Sequence, residues 1–262
     1  MKKKQMTQLG VALGLVGAIG VGGTLALMTA TTEEVKNTFT VGNALVDGDI
    51  TLDEAHMKNA ESGEDGVYSV GRVTDDPVYE YAKLNDSDRV QKNHYLDLQP
   101  GDDIYKDPTV HIKEDTADCY VFINVTGIDN LKTKGLTVET TNNYLVQSSE
   151  SYQWIPVEDS TTRGNDGIYY LASTGENPQP IIVNTETAAQ NYMVFESLNA
   201  GTAEEMYTTG SNGETVAKIT ANDNITVKAC AVQAKGTDFE GAKEALPDEF
   251  TGKVTPSVTP GA

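Results

Sequence analysis

The sequence predicts an all-β fold, a β-sandwich of jelly-roll type with short helices, an N-terminal signal helix and a flexible N-terminal arm. Short apolar runs of period two, bounded by Gly, Asp, Asn and Pro, recur along nearly the whole chain. Helical periodicity is almost absent after the first thirty or so positions. No internal repeat or shift of composition divides the 262 residues, so the strands belong to one sandwich. The expected organisation is a signal peptide over 1–26, an extended arm over 27–38, the jelly-roll domain over 39–247 and a Pro- and Thr-rich tail over 248–262.

Lys2, Lys3 and Lys4 form a positive n-region, and no charge follows until Glu33, the pattern of an export signal. The apolar stretch Leu9 to Met28 is long enough to span a bilayer, but six glycines weaken it as a helix. Thr24 and Ala26 are small residues that suit cleavage after Ala26; Ala30, with Met28 at its −3 position, is the poorer site. Cleavage is therefore expected rather than a retained anchor. The new N-terminus leads into an alternating stretch in which Val35, Asn37, Phe39 and Val41 share one side of an extended chain.

Further along, Ile50 to Leu52, Val67 to Val73, Val78 to Leu84, His94 to Leu98 and Thr109 to Ile112 read as strands. Pro100-Gly101 suits a type II turn, with Pro fixing φ and Gly supplying a positive one, between His94 to Leu98 and a strand over Ile104 to Ile112. Cys119 to Val125 is the best central strand: Cys119, Val121, Ile123 and Val125 load one face, Tyr120 and Phe122 the other. Tyr152 to Val157 and Gly167 to Leu171 form a long-looped hairpin carrying the single tryptophan, Trp154. Ile225 to Ala234 is a further strand, followed by a helix that Thr237 and Glu240 open as a capping box and Pro247 stops.

Thirty-nine acidic against nineteen basic residues give a formal charge of −20. Such a chain stays soluble and is repelled by phosphate backbones, so nucleic acid is not a partner. Cys119 and Cys230, the only cysteines, are too few for a disulfide framework; one bond after export or two separate buried thiols both fit. No GxSxG, no HExxH and no phosphate-cradling GxxxxGK[ST] occurs. His56, His94 and His111 have no metal-ligand spacing, and the acidic link EDSTTRGND (158–166) lacks the D-x-D-x-D-G order of a calcium loop. No catalytic, cofactor or metal residue is assigned, and no cofactor is expected.

Three separated stretches carry a resemblance. GGTLA followed by KNTFTVGN and ITLDEA looks like the start of exported substrates of the SipW-type signal peptidase. LQPGD (98–102), KDPTV (106–110) and DCYV (118–121), then ITVKACAVQAKG with its helix, resemble the sheet motifs of the TasA, CalY and camelysin group. The region from about 127 to 222 matches only loosely. This resemblance implies a secreted jelly-roll protein of Gram-positive bacteria that self-assembles into biofilm matrix fibres, with other matrix proteins as accessory partners, each subunit's N-terminal arm completing a neighbour's sheet. Val35, Asn37, Phe39 and Val41 are the donor residues this implies, although Phe39 to Val41 fit equally well as the first strand of their own sheet. The group also includes proteins described as metallopeptidases; that alternative function lacks a zinc motif here.

Overall fold

The computed structural model describes residues 29–32, 45, 48–63, 66–75, 78–138, 152–158, 161, 164–185 and 188–252. The expected signal peptide, its cleavage site at Ala26, the arm residues Val35, Asn37, Phe39 and Val41, and the tail beyond Gly252 lie outside them. No helix among the described residues is long and apolar enough to cross a membrane.

The architecture is all-β, with short helices. Its centre is a five-stranded antiparallel sheet in the order β1 (Thr29–Thr32), β17 (Thr226–Gln233), β9 (Cys119–Thr126), β12 (Gly167–Ala172), β11 (Gln153–Pro156). A four-stranded sheet runs in the order β13 (Gln190–Met193), β8 (Thr109–Ile112), β2 (Ile50–Ala55), β5 (Arg89–Val90), and a three-stranded one joins β10 (Leu136–Val138), β14 (Ser197–Ala200) and β7 (Asp103–Tyr105). One hydrophobic core takes side chains from all three: Val121, Ile123, Trp154 and Ala231 from the first, Ile50, Val110 and Ile112 from the second, Ile104 and Leu198 from the third. Smaller sheets, β3 (Ala60–Ser62) with β4 (Val67–Val70) and β6 (Lys92–Tyr95), and β15 (Tyr207–Thr209) with β16 (Thr215–Ala217), complete the described strands.

Alternation on β9 explains why it sits in the middle. Cys119, Val121, Ile123 and Val125 enter the main core, while Tyr120 and Phe122 enter a second core with Cys230, Val232, Ala242 and Phe250. Two C-terminal helices, α3 (Phe239–Glu244) and α4 (Asp248–Thr251), close this second core. The Phe239 ring stacks on Phe122 with centroids 5.9 Å apart and meets Tyr170 at 4.6 Å. Both faces of β9 are thus covered, as its pattern requires.

The hairpin of β11 and β12 forms as expected, with Trp154 fully buried and its indole N–H donating to the Met193 carbonyl at 2.8 Å. The Pro100-Gly101 turn also forms: Gly101 has φ +85°, and Asp102 N–H donates to the Gln99 carbonyl at 3.1 Å. Three expectations need correction. Val78 to Leu84 is not a strand; its β-pairing among the described residues is limited to isolated bridges at Tyr81 and Lys83. The expected strand Ile104 to Ile112 breaks into β7 and β8, because Pro108 lacks the N–H a ladder needs, and the halves join different sheets. The helix α3 is capped by Asp238, whose carboxylate accepts from Gly241 N–H at 2.8 Å, not by Thr237. A capping box does occur at α2 (Ala203–Met206), between Thr202 and Glu205.

The cysteines do not meet. The register sets Cys119 opposite Gln233 and Cys230 opposite Phe122, and their side chains enter different cores on opposite faces of the sheet. A disulfide needs Cα atoms within about 7 Å and converging Cβ vectors, so these are two separate buried thiols. Burial pushes the Cys119 thiol up to about 12, with Asp118 and Asp49 adding to it.

Candidate functional site

Two regions have chemistry that the fold alone does not demand. The first is the outer edge of β17. Its inner side is locked to β9 through eight consecutive pairs, from Thr226 opposite Thr126 to Gln233 opposite Cys119. Its outer side accepts β1, the first described segment of the chain, in an antiparallel register from Thr29 opposite Val232 to Thr32 opposite Ala229. The register of β1 reaches only Ala229 to Val232, leaving Thr226 to Lys228 beyond it. β1 also contacts β2, so this edge of the five-stranded sheet meets the four-stranded one. Ala229, Cys230 and Ala231 are fully buried and small, which allows a neighbouring strand to approach the ladder closely.

The second region is a charged cleft of about 440 Å³ lined by Lys83, Arg89, Tyr105, Asp107, His111 and Asn191 among others. Its organiser is Arg89 on β5. The guanidinium donates from Nε to Asp53 Oδ1 at 2.7 Å and from Nη1 to Asp107 Oδ2 at 2.6 Å. Asp107 is buried, and its other oxygen accepts from the Ala55 N–H at 2.7 Å. The Tyr105 hydroxyl donates to Asp107 at 3.2 Å; burial, reinforced by Asp107, pushes that phenol up to about 12. Lys83 Nζ lies 4.8 Å from the Tyr105 ring centroid.

His111 on β8 stands between β2 and β13. Nε2 is 2.7 Å from Asp53 Oδ1 and Nδ1 is 2.7 Å from Asn191 Oδ1. Two oxygen acceptors favour a ring that donates from both nitrogens, the imidazolium. The hydrogen bond to Asp53 raises the His111 value above 6.5 although burial opposes it. Burial raises Asp53, but the hydrogen bonds from His111 and Arg89 outweigh it and hold the carboxyl below 3.8. Each charged group already has an opposite partner, so the arrangement ties β2, β5, β8 and β13 together rather than presenting a nucleophile or a general base.

Asp102, in the LQPGD stretch, is likewise buried: Oδ2 accepts from Gln99 N–H at 2.8 Å and Oδ1 from Arg72 Nη2 at 2.7 Å. In the sequence these carboxylates do not stand out from the thirty-nine acidic residues. The signal that could have found them is a carboxylate flanking a proline turn inside a strand-rich stretch, combined with the scarcity of arginines. In the 158–166 link, Asp166 is committed to structure. It accepts from the amides of Gly127, Ile128 and Asp129 at 3.0, 2.7 and 3.2 Å, capping α1 (Ile128–Lys132). Gly127 is obligatory there, with φ +96° and space for a Cβ only 1.9 Å from the Asn224 carbonyl oxygen. His94 is exposed on β6, and among the described residues no group of three or more His, Cys, Asp or Glu is arranged to hold a metal ion. Compared with protein families, with characterised proteins and with solved structures, the chain matches none of them.

Proposed function

We propose that this chain is a secreted structural subunit with a jelly-roll sandwich. After a SipW-type peptidase removes the signal at Ala26, it assembles into extracellular matrix fibres by donating its N-terminal arm to the next subunit. The observation that carries the reading is the edge of β17, which takes a strand from the start of the described chain and, among the described residues, pairs with nothing else on that side. An edge that accepts residues 29–32 of its own chain has the register to accept the same residues of another. Such a contact joins two different surfaces, need not close, and propagates as a filament.

Energetics decide which arm residues matter. Eight or so added residues bring main-chain hydrogen bonds worth about 1 kcal/mol net each, while ordering their backbone costs about 1 to 2 kcal/mol per residue. The ladder alone breaks even or loses. Burial of Val35, Phe39 and Val41, at about 1.5 to 3 kcal/mol apiece, turns the balance toward docking. Electron microscopy of the purified mature protein beside a version lacking residues up to Thr38 tests this: filaments are expected from the first only, and equal filament formation by both sinks the proposal.

A further inference from the structure

The β15–β16 hairpin is held to the core at its base and is bare toward its tip. Met206 is buried, and Tyr207 and Ile219 pack against the main core, whereas every residue from Ser211 to Ala217 is exposed. Among the described residues the two strands pair only with each other, and two strands alone make a marginal sheet. Lys218 N–H donates to the Met206 carbonyl and Gly210 N–H to the Glu214 carbonyl, both at 2.8 Å. Residues 214, 216 and 218 therefore turn their main-chain groups toward β15, and by the alternation of an antiparallel ladder Thr215 and Ala217 turn theirs outward. No strand among the described residues takes them. Thr215, Val216 and Ala217 include neither a proline nor a charge, the usual devices that blunt such an edge.

We infer that this edge is a two-fold contact between copies of the chain, β16 pairing antiparallel with β16 of a second copy about Val216. The stretch ETVAK (214–218) is complementary to itself in charge. In the register centred on Val216, Thr215 faces Ala217 of the other copy and exchanges both main-chain bonds with it, the arrangement their outward groups require. Val216 faces Val216, and Glu214 faces Lys218, twice over by symmetry. Directly opposed residues share a face, so Val216, 40% exposed, meets its counterpart between two pairs of opposite charge. In the single copy Lys218 Nζ donates to the Glu204 and Glu205 carbonyls of α2 at 3.0 and 2.7 Å. Its flexible stem lets the ammonium turn to a carboxylate, the stronger acceptor. A contact this short covers far less area than a stable complex needs, so it acts where copies are already concentrated. It closes after two copies instead of propagating, and it does not rest on strand donation.

Val216→Cys in the mature full chain reads the axis directly, because a non-hydrogen-bonded antiparallel pair brings its side chains close. Oxidised at high protein concentration and run on a denaturing, non-reducing gel, it should give a reducible dimer and nothing larger, since Cys119 and Cys230 are buried. Arms exchanged without a covalent bond part under these conditions, so the gel reads this contact alone. Thr208→Cys, exposed and directly opposite Val216 on β15, should stay monomeric. Adding Glu214→Lys to Val216→Cys should lower the dimer yield about tenfold, because two attractive pairs become repulsive. The same change makes a chain of charge −20 less negative, so nonspecific association would rise instead. Monomer alone from Val216→Cys overturns the inference, as do multimers beyond the dimer. Equal dimer from Thr208→Cys marks random encounter and overturns it too, as does a yield that Glu214→Lys raises or leaves unchanged.

Discussion

The two sides of β17 differ in what holds them. Toward β9, eight paired residues are backed by two cores, and the alternation of both strands leaves one register that buries Val121, Ile123, Phe122 and Val232 together. A slip of one residue would exchange the two faces. Toward β1, four pairs lie against Ala229 to Val232, and the residues of β1, Thr-Ala-Thr-Thr, have little apolar surface to contribute. The inner pairing is specified by side chains and is permanent. The outer one rests on main-chain hydrogen bonds, and the proposed assembly requires it to be exchangeable.

Predictions that break or sharpen this contrast can be ranked by size. Phe122→Ala empties the second core under Phe239 and should cost about 3 to 5 kcal/mol, read as a lower denaturation midpoint with the inner ladder weakened. Asp107→Ala strands Arg89 and the Ala55 N–H; it should cost about 3 kcal/mol, near the range for breaking a buried pair. Removing residues up to Thr32 should change monomer stability by only about 1 kcal/mol, because a few hydrogen bonds of about 1 kcal/mol net each are largely offset by the cost of ordering the same residues, about 1 to 2 kcal/mol apiece. A loss as large as that of Phe122→Ala would mean that β1 is as integral as β9.

The smallest effect is the pH response of His111. Its folded value lies above 6.5, so its contribution is fully present below that value and lost as pH rises through the higher folded one. Asp53, held below 3.8, contributes above that value and loses its share as pH falls further. The stability difference between wild type and His111→Gln should therefore be greatest between these limits and shrink in alkaline buffer. About 1 kcal/mol is expected for a partly exposed pair. Thermal melts across pH check it; a difference that grows with pH would contradict the protonated bridge.

Much of the sheet was legible because single strands announce themselves. Cys119 to Val125 alternates between two apolar sets, and each set found a core. Val78 to Leu84 carried a similar composition but failed as a strand: Val78 and Leu84 at its ends are 61% and 49% exposed, and the burial falls on the adjacent Tyr81 and Ala82 instead of alternating. The break at Pro108 was visible in the sequence, yet only the tertiary fold shows that it sends β7 and β8 into different sheets. The ion pairs were illegible for another reason: Arg72 and Asp102 are 30 residues apart, Arg89 and Asp107 are 18 apart, and nothing local links them. The buried Glu54 carboxylate likewise accepts from the Asn93 N–H and from Lys106, 39 and 52 positions away, beyond the reach of any motif.

The register itself supplies the sharpest test of whether the outer edge is shared between subunits. Thr31 stands directly opposite Cys230, so Thr31→Cys sets two cysteines across the β1–β17 pairing while Cys119 stays on the far face. Assembled protein carrying Thr31→Cys, oxidised and run on a non-reducing gel, should give a ladder of reducible multimers as each arm bonds to the Cys230 of the next copy. Fibres that yield only monomer, with residue 31 bonded to its own Cys230, would contradict strand donation and leave β1 as an ordinary edge strand.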